Sequence, residues 1–191
     1  MRSSKITRKT NETDIEIKIT LDGMGNTDID TGIPFFDHML NSFAKHGSFD
    51  LTVKAVGDLT VDDHHTVEDA GICIGSAIAK ALGEKKGIQR FANVSIPMDE
   101  ALATVAIDIS GRSFLVFNAA FAPQKVGTFN PQNTRHFFES LVNNAGINMH
   151  VVVAGENDHH KIEALFKAFG IGLKRAVMIS GSEVPSTKGL L

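Results

Sequence analysis

Two short stretches concentrate metal-binding side chains: His64-His65-Thr66-Val67-Glu68 and His159-His160-Lys161-Ile162-Glu163. In each, the four-residue step from the first histidine to the glutamate puts imidazole and carboxylate on one helix face, one turn apart. The second histidine points about 100° away around the axis, so adjacent histidines should serve different ions. His38 and His136 sit at matching places upstream. The candidate ligands are then six imidazoles and two carboxylates: His38, His64, His65, Glu68, His136, His159, His160 and Glu163. Two ions with three His and one Glu each would use all of them. We expect His64, Glu68, His136 and His160 on one ion, and His38, His65, His159 and Glu163 on the other. Such donors suit Mn, Fe, Co or Zn, and a lone cysteine argues against a soft-metal centre. The acid follows both histidines instead of separating them, which excludes the HExxH pattern of zinc peptidases. Gly83-Glu84-Lys85-Lys86-Gly87 lacks the ending of a P-loop. His46 and His150 have no repeat partner; His150 reads as an exposed strand residue, and His46, just ahead of Gly47, as a helix cap or a site residue.

The elements that must position these ligands repeat. His38 and His136 lie 98 positions apart, Gly57 and Gly155 also 98, and His64 and His159 lie 95 apart, so one three-residue indel in the connector Asp58–Asp62 reconciles them. In the first unit Phe35, Phe36, Met39, Leu40 and Phe43, opened by Pro34 and closed by Gly47, predict a helix. Alternation through Phe49, Leu51, Val53 and Ala55 predicts a strand that Gly57-Asp58 turns, and Asp62 or Asp63 caps a helix ending near Gly83. The second unit predicts helix, strand and helix over roughly Pro131 to Gly146, Ile147 to Ala154 and His159 to Met178. Ile15, Ile17, Ile19 and Leu21 alternate ahead of the first unit. Ala101–Ile109 and Phe114–Phe121, joined by Ser110-Gly111-Arg112, read as a hairpin ahead of the second. The fold class is α+β: one domain of two similar halves, about 1–92 and 93–191, with helices packed on mainly antiparallel sheets.

The 191 residues, 42% hydrophobic and with a net charge of −3, suffice for a substantial core. No run of about 18 apolar residues exists to span a bilayer, and Met1–Asp14 lacks the apolar stretch of a secretory signal, so no membrane association and a cytoplasmic location are expected. The acidic balance and the absence of Trp and Tyr argue against a nucleic-acid binder. Cys73, among Ile72, Ile74 and Ile78, reads as a buried thiol. The stretch Ser182–Gly189 combines hydroxyls, backbone donors and a lysine, a composition able to hold an anion.

Over nearly its whole length the chain resembles the imidazoleglycerol-phosphate dehydratase family. The matching motifs are Arg8–Thr13 (RKTNET), Gly32–Leu40 (GIPFFDHML), Asp62–Asp69 (DDHHTVED), Ser110-Gly111-Arg112, His159–Ala164 (HHKIEA) and Ser186–Gly189 (STKG). The resemblance implies a hydro-lyase (EC 4.2.1.19) of histidine biosynthesis that converts D-erythro-imidazoleglycerol phosphate to imidazole acetol phosphate through a metal-bound imidazolate. It implies two Mn(2+) per active site on the eight ligands above, and a duplicated unit like the second domain of ribosomal protein S5 (S5 domain 2-like). Homo-oligomers, trimers assembling into a 24-subunit shell, would share sites across subunits. Glu12 takes the catalytic acid/base role. Arg90, Arg112, Ser186, Thr187 and Lys188 are implied for substrate phosphate, with Lys167 a further candidate and His46 a possible contact. Ser42 departs from the Gln that relatives often carry one turn after His38, and Thr187 from the more common Ser. A metal-storage shell would need the His and Glu set but not Arg90, Arg112 and Lys188.

Overall fold

The computed structural model describes all residues, Met1–Leu191. Two units follow one another with the same element order. The first holds β1 (Ser3–Lys9), β2 (Thr13–Thr20), β3 (Thr27–Asp30), α1 (Pro34–Gly47), β4 (Asp50–Gly57) and α2 (His64–Leu82). The second holds β5 (Phe91–Met98), β6 (Ala101–Asp108), β7 (Phe114–Asn118), α3 (Asn133–Ala145), β8 (Asn148–Ala154) and α4 (Asp158–Val177). The sheets repeat too, in the orders β1-β2-β4-β3 and β5-β6-β8-β7, each with one parallel pair at its end. Duplication is therefore visible in topology as well as in sequence.

Helix starts and stops follow local chemistry. Pro34 opens α1, whose chain leaves through Ser48 in the left-handed region (φ 55), one residue beyond the expected Gly47. Asp62 Oδ1 accepts the His64 N–H at 2.8 Å and so caps α2, while Asp63 turns away to accept the Asn130 N–H at 2.7 Å. Asn157 caps α4 by accepting from the His159 and His160 N–H groups. Gly146, left-handed at φ 65, ends α3.

The expected hairpin of Ala101–Ile109 with Phe114–Phe121 does not form. β6 pairs antiparallel with β5 and β8, whereas β7 pairs parallel with β8 and ends at Asn118, so Ser110-Gly111-Arg112 is a bend leading into a crossover. The real hairpin joins β5 to β6 through Asp99-Glu100, with Met98 opposite Ala101. β1 also escaped the periodicity reading, because this edge strand carries Lys5, Arg8 and Lys9 around a single apolar Ile6.

Each sheet packs its apolar face on helices, and the helices of one half pack on those of the other: α2 on α3, and α1 on α4. One core runs through both halves, from Ile15, Ile17 and Ile19 to Phe138, Phe166 and Phe169. The α2–α3 approach is close because α2 lacks side chains there: a Cβ on Gly71 would sit 2.6 Å from the Phe137 carbonyl, and one on Gly75 would collide with that of Leu141. This exchange of helix partners carries the ligands of one half onto those of the other.

Candidate active site

At the start of α4, His159 Nε2 lies 3.1 Å from Glu163 Oε2, and His38 of α1 brings its Nε2 to 3.2 Å from the same oxygen. The three ligand atoms fall within 4.8 Å of one another. The other carboxylate oxygen, Oε1, accepts from Lys167 Nζ at 2.8 Å, so the lysine holds Glu163 from behind. Burial acts to raise the Glu163 pKa, but Lys167 and His38 outweigh it and keep the group ionised below the usual glutamate value.

The equivalent cluster stands at the start of α2. His64 Nε2 lies 3.0 Å from Glu68 Oε2, and the His136 ring of α3 packs against His64 with centroids 4.7 Å apart. At each helix start three of the four expected ligands lie near one another, one of them from the opposite half, but only at α4 do the three ligand atoms fall within 4.8 Å of one another. The fourth of each set is not brought to it within this chain. His65 turns perpendicular to His64 and places Nδ1 2.9 Å from Asp58 Oδ2, and His160 turns perpendicular to His159 with Nδ1 2.8 Å from Glu100 Oε2. These hydrogen bonds, with nearby Glu12 adding for His65, raise both imidazole pKa values, and the one from His160 does most to hold Glu100 at about 2.

Glu12, in the turn before β2, lines a hollow with His65, Glu68, Arg8 and Asp69. Its carboxylate makes no hydrogen bond and stands 3.9 Å from His65 Nδ1. Arg8 behind it is fixed by Asp69, which also accepts from Thr13.

Arg90, Ser110, Gly111, Arg112, Ser186, Thr187 and Lys188 all line one cleft of about 400 Å³. Arg112 projects into it without a carboxylate partner, whereas Arg90 forks onto Asp108 (Nε 2.7 Å, Nη2 3.2 Å) and donates Nη1 to the Pro185 carbonyl at 2.8 Å. Of its five N–H groups two remain. The stretch leading into Ser186–Gly189 is docked around Gly87, whose N–H donates to the Glu183 carbonyl at 2.8 Å and whose carbonyl accepts from the Ser180 N–H at 2.8 Å. His46 lies apart, in the last turn of α1, facing a broad cleft with Arg2, Lys174 and Arg175; burial, then the charge of Lys167, push its pKa down. Sequence reasoning missed Asp58, Glu100 and Asp108. None forms a local motif with its partner, although the shared positions of Glu12 and Glu100, just ahead of β2 and β6, were a signal.

The fold and the two clusters define a class: a duplicated α+β protein in which each half starts a helix with an imidazole–carboxylate pair and borrows a further imidazole from the other half. More particularly, the chain belongs to the imidazoleglycerol-phosphate dehydratase family, a family of hydro-lyases, whose model matches residues 31–173. It is 60% identical over 191 residues to imidazoleglycerol-phosphate dehydratase of Methanosarcina mazei and 59% identical to that of Methanococcoides burtonii, covering 100% of both chains in each comparison. The crystal structure of the Staphylococcus aureus dehydratase superposes with a TM-score of 0.84 at 39% identity, over 93% of this chain and 99% of that one. A crystal structure of IGPD from Pyrococcus furiosus gives 0.83 at 34% identity, over 97% and 100%. No helix is long and apolar enough to cross a membrane.

Proposed function

We propose that this chain dehydrates D-erythro-imidazoleglycerol phosphate to imidazole acetol phosphate in histidine biosynthesis, in the cytoplasm, with two manganese ions held by its two clusters. The observation that carries the reading is the convergence of His38, His159 and Glu163 within 4.8 Å, with His64 and Glu68 paired and the His136 ring beside His64 at the corresponding place in the other half. Nitrogen and carboxylate donors in this number suit a divalent first-row ion, and an ionised, largely buried Glu163 facing two imidazoles supplies such a donor set. When bound, such an ion acidifies an azole N–H that coordinates it, which supplies the electron push for loss of the neighbouring hydroxyl as water.

The chain's own residues supply the rest. The carbon-bound proton is not adjacent to a carbonyl and needs a base; Glu12, unpaired and beside His65 and Glu68, takes it. The enol that results ketonises. Arg112, Lys188, Ser186, Thr187 and the two spare N–H groups of Arg90 hold the phosphate, which orients the substrate. Lys167 holds Glu163 through Oε1 and leaves Oε2 to the imidazole side. His65 and His160, swung out of their own clusters, are the ligands we assign to clusters of neighbouring subunits, in trimers that assemble to the 24-subunit shell.

The test separates ligand from base. Glu163→Gln is expected to lose manganese and turnover together, while Glu12→Gln keeps manganese and loses turnover. A Glu163→Gln protein that turns over normally would defeat the reading.

A further inference from the structure

The duplication makes Glu12 and Glu100 counterparts. Thr13 lies opposite Gly57 across β2 and β4, and Ala101 packs on Gly155 at the same corner of the second sheet. The residue ahead of each is a glutamate. By the same register His65 corresponds to His160, and Asp58 to Glu156.

The counterparts are used differently. Glu100 is fully engaged: Oε1 accepts the N–H groups of Asn157 (2.7 Å) and Glu156 (3.2 Å), and Oε2 takes His160 Nδ1 at 2.8 Å. Glu12 holds nothing, because Asp58 Oδ2 has taken its histidine at 2.9 Å and left Glu12 at 3.9 Å. An ionised carboxylate can only accept, so both rings donate Nδ1–H and carry their lone pair on Nε2. The nearest carboxylate to His160 Nε2, from Asp99, is 3.7 Å away, beyond hydrogen-bond reach.

We infer that Glu100 and Asp58 are positioning residues that fix His160 and His65 as Nε2 donors for a metal. This rests on the manganese-dependent dehydratase reading above. Carboxylates behind ligating histidines fix tautomer and ring orientation in this way, and their loss weakens metal binding by about 10- to 100-fold.

The experiment titrates metal-stripped protein with Mn(2+), counting bound ion by electron paramagnetic resonance, and measures melting temperature without metal and turnover at saturating Mn(2+). Glu100→Gln keeps an oxygen for the Asn157 and Glu156 amides but turns an NH₂ toward His160, so the ring must protonate Nε2. The expected result is at least about tenfold weaker binding at one of two sites, a metal-free melting temperature lowered modestly because His160 loses its anionic partner, and turnover within a few-fold of wild type once Mn(2+) saturates. Asp58→Asn repeats the test at His65. Glu12→Gln is expected to bind both ions normally and to lose about 10²- to 10⁴-fold in turnover. Normal affinity at both sites in Glu100→Gln would overturn the inference, since Glu100 would then only pin the loop before α4. A Glu100→Gln protein that stays as inactive as Glu12→Gln at saturating Mn(2+) would overturn it too, by making Glu100 the proton carrier. A normally active Glu12→Gln would remove the assignment of Glu12 and leave the Glu100 result standing, whereas a wild-type protein that binds no Mn(2+) would remove the underlying reading.

Discussion

Arg90 and Arg112 line the same cleft, yet their replacement should fail in different ways. Arg90 is 16% exposed and its partner Asp108 23% exposed, and the guanidinium makes two hydrogen bonds to that carboxylate and one to Pro185. A hydrogen bond to a charged group contributes about 1.5–3 kcal/mol. Arg90→Ala leaves Asp108 without its cation and releases the Ser186–Gly189 segment; with water partly replacing the lost donors, about 2–3 kcal/mol of stability is lost. For a chain of this size that lowers the melting temperature by about 4–12 °C. Arg112 has no such partner, so Arg112→Ala should leave melting unchanged and act on substrate alone. Losing one charge-assisted phosphate contact should raise KM about 10- to 150-fold, with manganese content intact. Thermal unfolding of metal-free protein, followed by KM measurement on both variants, reads the contrast. Equal melting temperatures for Arg90→Ala and wild type would refute the structural assignment of Arg90. Loss of manganese in Arg112→Ala would refute the phosphate assignment and favour a metal store.

Three further outcomes follow from the packing. Gly75→Ala forces a Cβ onto the Leu141 carbonyl, so it should cost about 1–3 kcal/mol in metal-free unfolding and weaken manganese binding at the His64, Glu68 and His136 cluster; an unchanged melting temperature would contradict the close α2–α3 approach. Burial, and then the charge of Asp69, push the Cys73 thiol up to about 11. A shift of that size reduces its thiolate fraction at pH 8 about 100-fold, so alkylation should be slow in native protein and fast in denaturant, and equal rates would argue against it. The Arg2 guanidinium holds the Asp22 carboxyl below its ordinary value. A depressed carboxylate contributes stability above its unfolded pKa, about 3.9, and loses it as pH falls through the folded value. The melting gap between wild type and Asp22→Asn should therefore be widest near neutrality and close toward acid, and a gap that widens in acid would contradict the pairing.

What was legible in the sequence is what local spacing controls. The four-residue step from His64 to Glu68 and from His159 to Glu163 sits on a helix in both halves, as expected, and the repeat register marked His38 and His136 as counterparts. The apolar periodicities of α1, β4, α2, α3, β8 and α4 were equally plain. The misplaced hairpin has a topological cause: Ser110-Gly111-Arg112 resembles a turn, but β8, about forty residues further on, inserts between β6 and β7. No local signal reports which strand becomes the neighbour. Asp58, Glu100 and Asp108 escaped for the same reason, since each acts on a side chain that only the fold brings near. For Arg90 the family resemblance suggested a phosphate contact, and the structure adds the fork onto Asp108 and a bond to the carbonyl of Pro185, just ahead of Ser186–Gly189.

The most direct measurement is turnover by metal-stripped, reassembled protein given imidazoleglycerol phosphate, with and without Mn(2+), following imidazole acetol phosphate. The account predicts product only when Mn(2+) is added. Product at full rate from metal-free protein, or none from protein shown to hold two Mn(2+) per chain, would contradict it.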